Sequence, residues 1–133
     1  MAAKPRVRDA SIELRGPLGA GKTTFVRHLL RSLGVQGRIK SPSYAIVEPY
    51  ELPALNVWHF DYYRFGDPRE WEDAGFRELY AEPGLKLSEW PEQVGAAMPE
   101  PDLRLSIEPD VQDPQQRHVQ ADALTPTGRE LLP

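Results

Sequence analysis

Gly16-Pro17-Leu18-Gly19-Ala20-Gly21-Lys22-Thr23 reads G-x-x-x-x-G-K-[ST], the P-loop or Walker A pattern. The glycines let the backbone curl so that successive N–H groups point inward at a phosphate chain. Lys22 adds positive charge near the β- and γ-phosphates, and the Thr23 hydroxyl suits Mg²⁺. The pattern needs a strand before it and a helix after it. Ser11-Ile12-Glu13-Leu14-Arg15 is a short β-compatible run; Phe25, Val26, Leu29, Leu30 and Leu33 fall at helical spacing, with Gly34 where a C-terminal cap belongs. A glycine-rich turn closing an ordinary βα unit is the bland alternative. Motif and context together imply a nucleoside triphosphate site, with Gly19, Ala20, Gly21, Lys22, Thr23 and Thr24 as the cradle and the helix N-terminus adding its dipole.

At 133 residues the chain reads as a single domain spanning residues 1–133, with 1–10 flexible. It has no cysteine, so disulfides, thiolate metal sites and cysteine nucleophiles are excluded. The start of the sequence has no apolar signal-like stretch, and no apolar run approaches a membrane span. A soluble, cytoplasmic protein without membrane contact is expected. The net charge of −4 hides an asymmetry: residues 1–40 hold nine Lys/Arg and two Asp/Glu, residues 41–133 seven and eighteen. The basic part surrounds the P-loop. The acidic remainder argues against a broad nucleic-acid surface, although Lys4, Arg6, Arg8, Arg38 and Lys40 form either a solvated face or a local RNA contact.

Fourteen prolines punctuate the chain. Arg38–Tyr44 reads as an exposed connector, and Ala45-Ile46-Val47 as the start of a strand that Pro49 limits. Leu55-Asn56-Val57-Trp58-His59-Phe60-Asp61 reads as the best-buried strand, ending on a carboxylate. Asp67-Pro68-Arg69-Glu70 combines an N-cap, a proline at the first helical position and a capping-box Glu. It predicts a helix through Trp71 to about Leu79 or Tyr80, interrupted at Gly75. Leu85–Glu89 is a short, more polar strand stopped by Trp90-Pro91. Leu103, Leu105 and Ile107 alternate with polar residues, as do Val119, Ala121 and Ala123. This predicts a half-buried antiparallel hairpin around the Pro109–Gln116 loop, and Thr125-Pro126 opens a last short helix. The fold class is α/β: a P-loop NTPase with a central mixed β-sheet flanked by helices and a C-terminal antiparallel hairpin.

A P-loop alone does not name a function. A GTPase needs N-K-x-D, and the only asparagine is Asn56, followed by Val57; no D-x-x-G occurs. Motor and transporter ATPases are larger and carry motifs absent here. A small-metabolite kinase remains open, although lid segments and an arginine-lined substrate pocket are not evident.

Four stretches in order, Gly16–Thr24 (GPLGAGKTT), Ser41–Tyr50 (SPSYAIVEPY), His59–Arg64 (HFDYYR) and Glu89-Trp90-Pro91 (EWP), resemble the TsaE (YjeE) ATPases of bacterial tRNA threonylcarbamoyladenosine biosynthesis, over about residues 12–108. The resemblance implies a small P-loop ATPase, using ATP and Mg²⁺, hydrolysing slowly by itself. It acts with the threonylcarbamoyl-transferase complex that modifies adenosine 37 of tRNAs reading codons that begin with A; contact with tRNA itself is indirect. Pro17 stands where the family has Asp, at a position that contributes backbone, and Ser43 stands for the threonine of S-P-T, keeping a hydroxyl. Family members carry an extra strand and helix before the P-loop strand, whereas ten residues precede Ser11 here.

Two acids compete for the metal. By hydrophobic pattern Asp61 is the better Walker B residue, since Val57, Trp58 and Phe60 precede it. The resemblance instead puts Glu89 at the Mg²⁺ with Thr23, and Asp61 nearby as a switch or water-positioning group, giving Lys22, Asp61 and Glu89 as the catalytic set. An ordinary salt bridge or helix cap is the alternative for either acid. Ser41 and Ser43 are candidates to close over the γ-phosphate, against simple loop capping. Trp90 packs by the nucleotide or faces a partner, against an ordinary core role. Arg64 and Glu48 lie in family motifs without a role derivable from sequence. His59 shares a strand face with Asp61 and reads as structural rather than as a metal ligand. A nucleotide-gated binding module with negligible hydrolysis is a further alternative.

Overall fold

The computed structural model describes residues 9–40, 42 and 46–132; Ser41, Ser43, Tyr44 and the basic residues Lys4, Arg6 and Arg8 lie outside them. The elements are β1 (Ser11–Arg15), α1 (Lys22–Ser32), β2 (Val47–Glu51), β3 (Asn56–Asp61), α2 (Pro68–Asp73), α3 (Phe76–Ala81), β4 (Leu85–Glu89), β5 (Leu103–Pro109), β6 (Arg117–Ala123) and α4 (Pro126–Leu131). One six-stranded sheet has the order β2-β3-β4-β1-β5-β6. Its four central strands are parallel, and β2 and β6 close the two edges antiparallel. This is the mixed sheet that the sequence predicts.

The sheet separates two cores. On one face Ile12, Leu14, Leu87 and Leu105 pack with Val26 and Leu30 of α1 and Leu131 of α4. On the other, Phe60, Tyr62, Phe65, Trp71, Phe76 and Val94 form an aromatic core under α2 and α3. There Trp71 Nε1 donates to the Tyr62 hydroxyl at 3.2 Å, which lies 3.1 Å from the Tyr80 hydroxyl. These bonds satisfy the polar atoms that aromatic burial brings inside, and they fix the chain immediately after Asp61.

Helix ends follow local chemistry. Asp67 caps α2 by accepting from the Arg69 N–H at 2.9 Å, and Gly75 breaks the helical run into α2 and α3 at a φ of 77°. After α1, the Gly34 N–H bonds the Arg31 carbonyl and the Val35 N–H the Leu30 carbonyl, a Schellman stop. Thr125 caps α4.

Three expectations need correction. Pro49 does not limit β2 but sits inside it, opposite Trp58, because an edge strand tolerates a missing N–H. Burial is greatest in β4 rather than β3: every β4 residue is buried, whereas Asn56 is exposed. Strand β4 lies between β3 and β1 with a packed layer on each face, so its polar residues are enclosed too. The Lys86 ammonium donates to the Glu82 carbonyl and lies 5.6 Å from the Trp58 ring. Finally, β6 is not half-buried; Val119 is 55% exposed, since this edge strand is covered only towards its end by α4.

Asp102 ties the two ends of the chain together. Its carboxylate accepts from the Ser11 N–H at 2.8 Å and the Thr125 hydroxyl at 2.7 Å, and its carbonyl from the Leu124 N–H at 3.0 Å. Gly128 of α4 packs onto that carbonyl so closely that an added Cβ would lie 1.8 Å from it. Gly128→Ala is therefore expected to cost about 1–3 kcal/mol, the usual penalty of forcing atoms into a packed site. Urea unfolding checks it: the midpoint falls at constant slope, and an unchanged midpoint contradicts the packing described.

Candidate functional site at the phosphate loop

The site lies where the parallel strands end. Gly16 leaves β1 at a φ of 150° with its Cα against β5: an added Cβ would lie 2.2 Å from the Ile107 carbonyl oxygen, so only glycine fits. Gly21, in the left-handed region at a φ of 106°, turns the chain into α1. Among the described residues no side chain caps α1, and its first turn holds no acid. The orphaned N–H groups and the positive end of the dipole thus face the cavity, the arrangement that receives an anion.

Lys22, buried at 5% exposure, aims back at the loop. Its Nζ donates to the Gly16 carbonyl at 2.6 Å and lies 3.3 Å from the centroid of the Trp90 ring. Burial lowers its pKa, while Glu89, Glu92 and Asp61 oppose that shift. Trp90 reaches this position because its own backbone is left-handed, φ 57° and ψ 45°, a conformation that costs a non-glycine residue about 1–3 kcal/mol and clusters at functional sites.

Beneath the loop, Glu89 ends β4 next to β1 and beside Asp61, its register partner on β3. The Thr23 hydroxyl donates to the Glu89 carboxylate, at 3.0 Å from Oε1 and 3.2 Å from Oε2. His59 Nε2 lies 2.6 Å from Oε2, with both side chains nearly inaccessible. Asp61 is half-buried, its Oδ1 accepting from the Tyr63 N–H at 3.0 Å. Its pKa is raised, chiefly by burial and further by Glu89; the Tyr63 N–H, His59 and Lys22 act in the opposite direction.

A cavity of about 270 Å³ joins these groups; Gly19, Ala20, Gly21, Lys22, Thr23, Thr24, Asp61, Glu89 and Trp90 all line it, with Leu18 and Tyr63. Of the switch candidates, Trp90 belongs to the site, Arg64 is exposed beside Tyr63 and outside the lining, and Ser41 and Ser43 lie outside the described residues. Three contributors had no site role assigned from sequence. Arg117 of β6 donates from Nε to the Ala20 carbonyl at 2.8 Å, Tyr63 packs its ring 5.0 Å from that of Trp90, and His59 holds Glu89. His59 and Tyr63 left a trace in the HFDYYR stretch, and the period of two puts His59 on the face of Asp61.

Among the described residues no three His, Cys, Asp or Glu side chains converge as a metal cage. A hydroxyl and two carboxylates around a phosphate-shaped cradle still fit Mg²⁺, which keeps several waters and takes one or two carboxylates plus substrate phosphates. No helix of the described residues is long and apolar enough to cross a membrane.

Sheet order, glycine loop and uncapped helix define a P-loop NTPase architecture. The match to known proteins is narrower. The family described as threonylcarbamoyl adenosine biosynthesis protein TsaE matches residues 1–119. The chain is 38% identical over 121 residues to the tRNA threonylcarbamoyladenosine biosynthesis protein TsaE of Haemophilus influenzae, covering 91% of this chain and 75% of that protein. Against the protein of that name in Bacillus subtilis it is 35% identical over 96 residues, covering 72% and 60%. A crystal structure of Bacillus subtilis YdiB superposes with a TM-score of 0.72 at 25% identity, over 90% of this chain and 76% of that one. The chain belongs to the TsaE family.

The raised pKa of Asp61 has a consequence for stability. With its folded-state pKa above the ordinary 3.8, the fold disfavours the ionised form, and that penalty grows as pH rises from the ordinary value through the folded one. Asp61→Asn removes the penalty and keeps an acceptor for the Tyr63 N–H. The nucleotide-free variant is expected to melt above the wild type at pH 7, with the gap narrowing towards pH 4. Scanning calorimetry across that range checks it; a variant that melts at or below the wild type at pH 7 contradicts the assignment.

Proposed function

We propose that this chain binds and hydrolyses ATP as the ATPase component of tRNA threonylcarbamoyladenosine synthesis, acting with the complex that transfers the threonylcarbamoyl group to adenosine 37. The observation that carries the reading is Glu89, buried and hydrogen-bonded to Thr23 directly beneath an uncapped P-loop, in a chain of the TsaE family. An apolar residue would fill that place better unless the acid had work there.

In this reading the α1 N-terminus and Lys22 hold the phosphates, Lys22 exchanging the Gly16 carbonyl for phosphate oxygen. Thr23 and Glu89 would hold Mg²⁺, which when bound would neutralise phosphate charge. Glu89 is favoured over Asp61 because the Thr23 hydroxyl already points at it, while Asp61 is engaged by the Tyr63 N–H. Asp61, proton-hungry and at the cavity edge, suits the orientation of water for in-line attack. Trp90 and Tyr63 border the same cavity, so entry of the γ-phosphate alters the exposed rim that a partner meets. Slow turnover by the chain alone and location in the cytoplasm, with its tRNA, belong to the same proposal.

Depletion of the protein, followed by mass spectrometry of tRNA nucleosides, tests it. Threonylcarbamoyladenosine is expected to fall and to return on complementation with the wild-type chain but not with Lys22→Ala. An unchanged level of the modified nucleoside overturns the reading and favours a small-metabolite kinase; rescue by Lys22→Ala contradicts the role given to the phosphate loop.

A further inference from the structure

The buried His59–Glu89 pair has a chemistry of its own. His59 is 1% exposed and its register partner on β4 is Leu87, in a neighbourhood that includes Val57 and Leu85, both fully buried. A side chain present only to fill space there would be apolar. Among the described residues the imidazole instead leaves Nδ1 buried without a hydrogen-bond partner, while Nε2 reaches Glu89 Oε2 at 2.6 Å. A carboxylate only accepts, so the contact is a hydrogen bond donated from the ring N–H at Nε2.

We propose that His59 is the positioning residue of this site, holding the Glu89 carboxylate turned towards Thr23 and the phosphate loop. The proposal rests on the reading of Glu89 as the metal-side acid. Among the described residues two side-chain donors serve that carboxylate, the Thr23 hydroxyl and His59 Nε2. Once the Thr23 hydroxyl turns to a ligand, His59 is the donor that remains, anchored in β3 and unable to follow. It fixes one oxygen and leaves the other facing the cavity. Removal of such an outer hydrogen bond typically weakens metal binding or activity without removing a ligand.

Two variants separate positioning from packing. His59→Phe fills the space without a donor, and His59→Gln carries an amide N–H at nearly the reach of Nε2. With ADP in the presence of EDTA, calorimetry is expected to give wild-type affinity for both, since the phosphate cradle is untouched. In ATPase assays His59→Phe is expected to need about 10–100-fold more Mg²⁺ or to lose kcat on that scale, with KM for ATP unchanged, and His59→Gln to recover most of the loss. Folding of both is followed by circular dichroism. Independently of any ligand, ¹⁵N NMR of the nucleotide-free wild-type protein is expected to find the His59 hydrogen on Nε2. That measurement decides even where His59→Phe does not fold. Equal behaviour of the Phe and Gln variants, or an Nε2 that carries no hydrogen, overturns the proposal. Failure of the wild-type protein to bind ADP or ATP overturns the functional reading itself, and with it the proposal.

Discussion

A buried acid under a phosphate loop is the constraint around which this protein is arranged. Glu89 has almost no access to water, and an enclosed carboxylate is tolerated only when hydrogen bonds replace its hydration. Thr23 and His59 supply them from two different elements, the first turn of α1 and the middle of β3. Loop, helix and strand are thereby locked to one carboxylate. The polar contact also sets the depth of α1 against the sheet, because Thr23 stands at the second position of that helix.

Sheet order makes the contact possible. With β4 between β3 and β1, the carboxyl ends of three parallel strands bring Asp61, Glu89 and the start of the P-loop to one edge. Binding at the carboxyl ends of parallel strands is the general rule for open α/β sheets. The aromatic core holds the segment after Asp61 from behind, through Tyr62, whose N–H also bonds the Glu89 carbonyl at 3.1 Å. On the opposite flank, Arg117 ties the hairpin to the loop through the Ala20 carbonyl. The cavity therefore has its floor at the ends of the parallel centre, under a loop that β6 holds from outside.

Much of this was legible in the sequence, for local reasons. The P-loop, the strand before it, α1 with its Gly34 stop, the Gly75 break and the Thr125 cap all depend on short-range chemistry, and each occurs where it is expected. What sequence obscured depends on neighbours in space. Lys86 and Ser88 make β4 look half-exposed, yet β3 and β1 enclose it. Val119 looks half-buried, yet no layer covers that part of β6. His59 gave no sign of its partner, which is 30 residues away in sequence on the next strand. The competition between Asp61 and Glu89 was a competition between hydrophobic pattern and motif, and the sheet, invisible in one dimension, sets the two acids side by side as register partners.

The most direct test is a crystal structure with a non-hydrolysable ATP analogue and Mg²⁺. The account predicts that the Thr23 hydroxyl leaves Glu89 for the metal, that a Glu89 oxygen lies on the metal or on one of its waters, and that His59 keeps its hydrogen bond to the other oxygen. Lys22 then leaves the Gly16 carbonyl and the Trp90 ring for phosphate. A metal held by Asp61, with Glu89 remote and still bonded to Thr23, would contradict it.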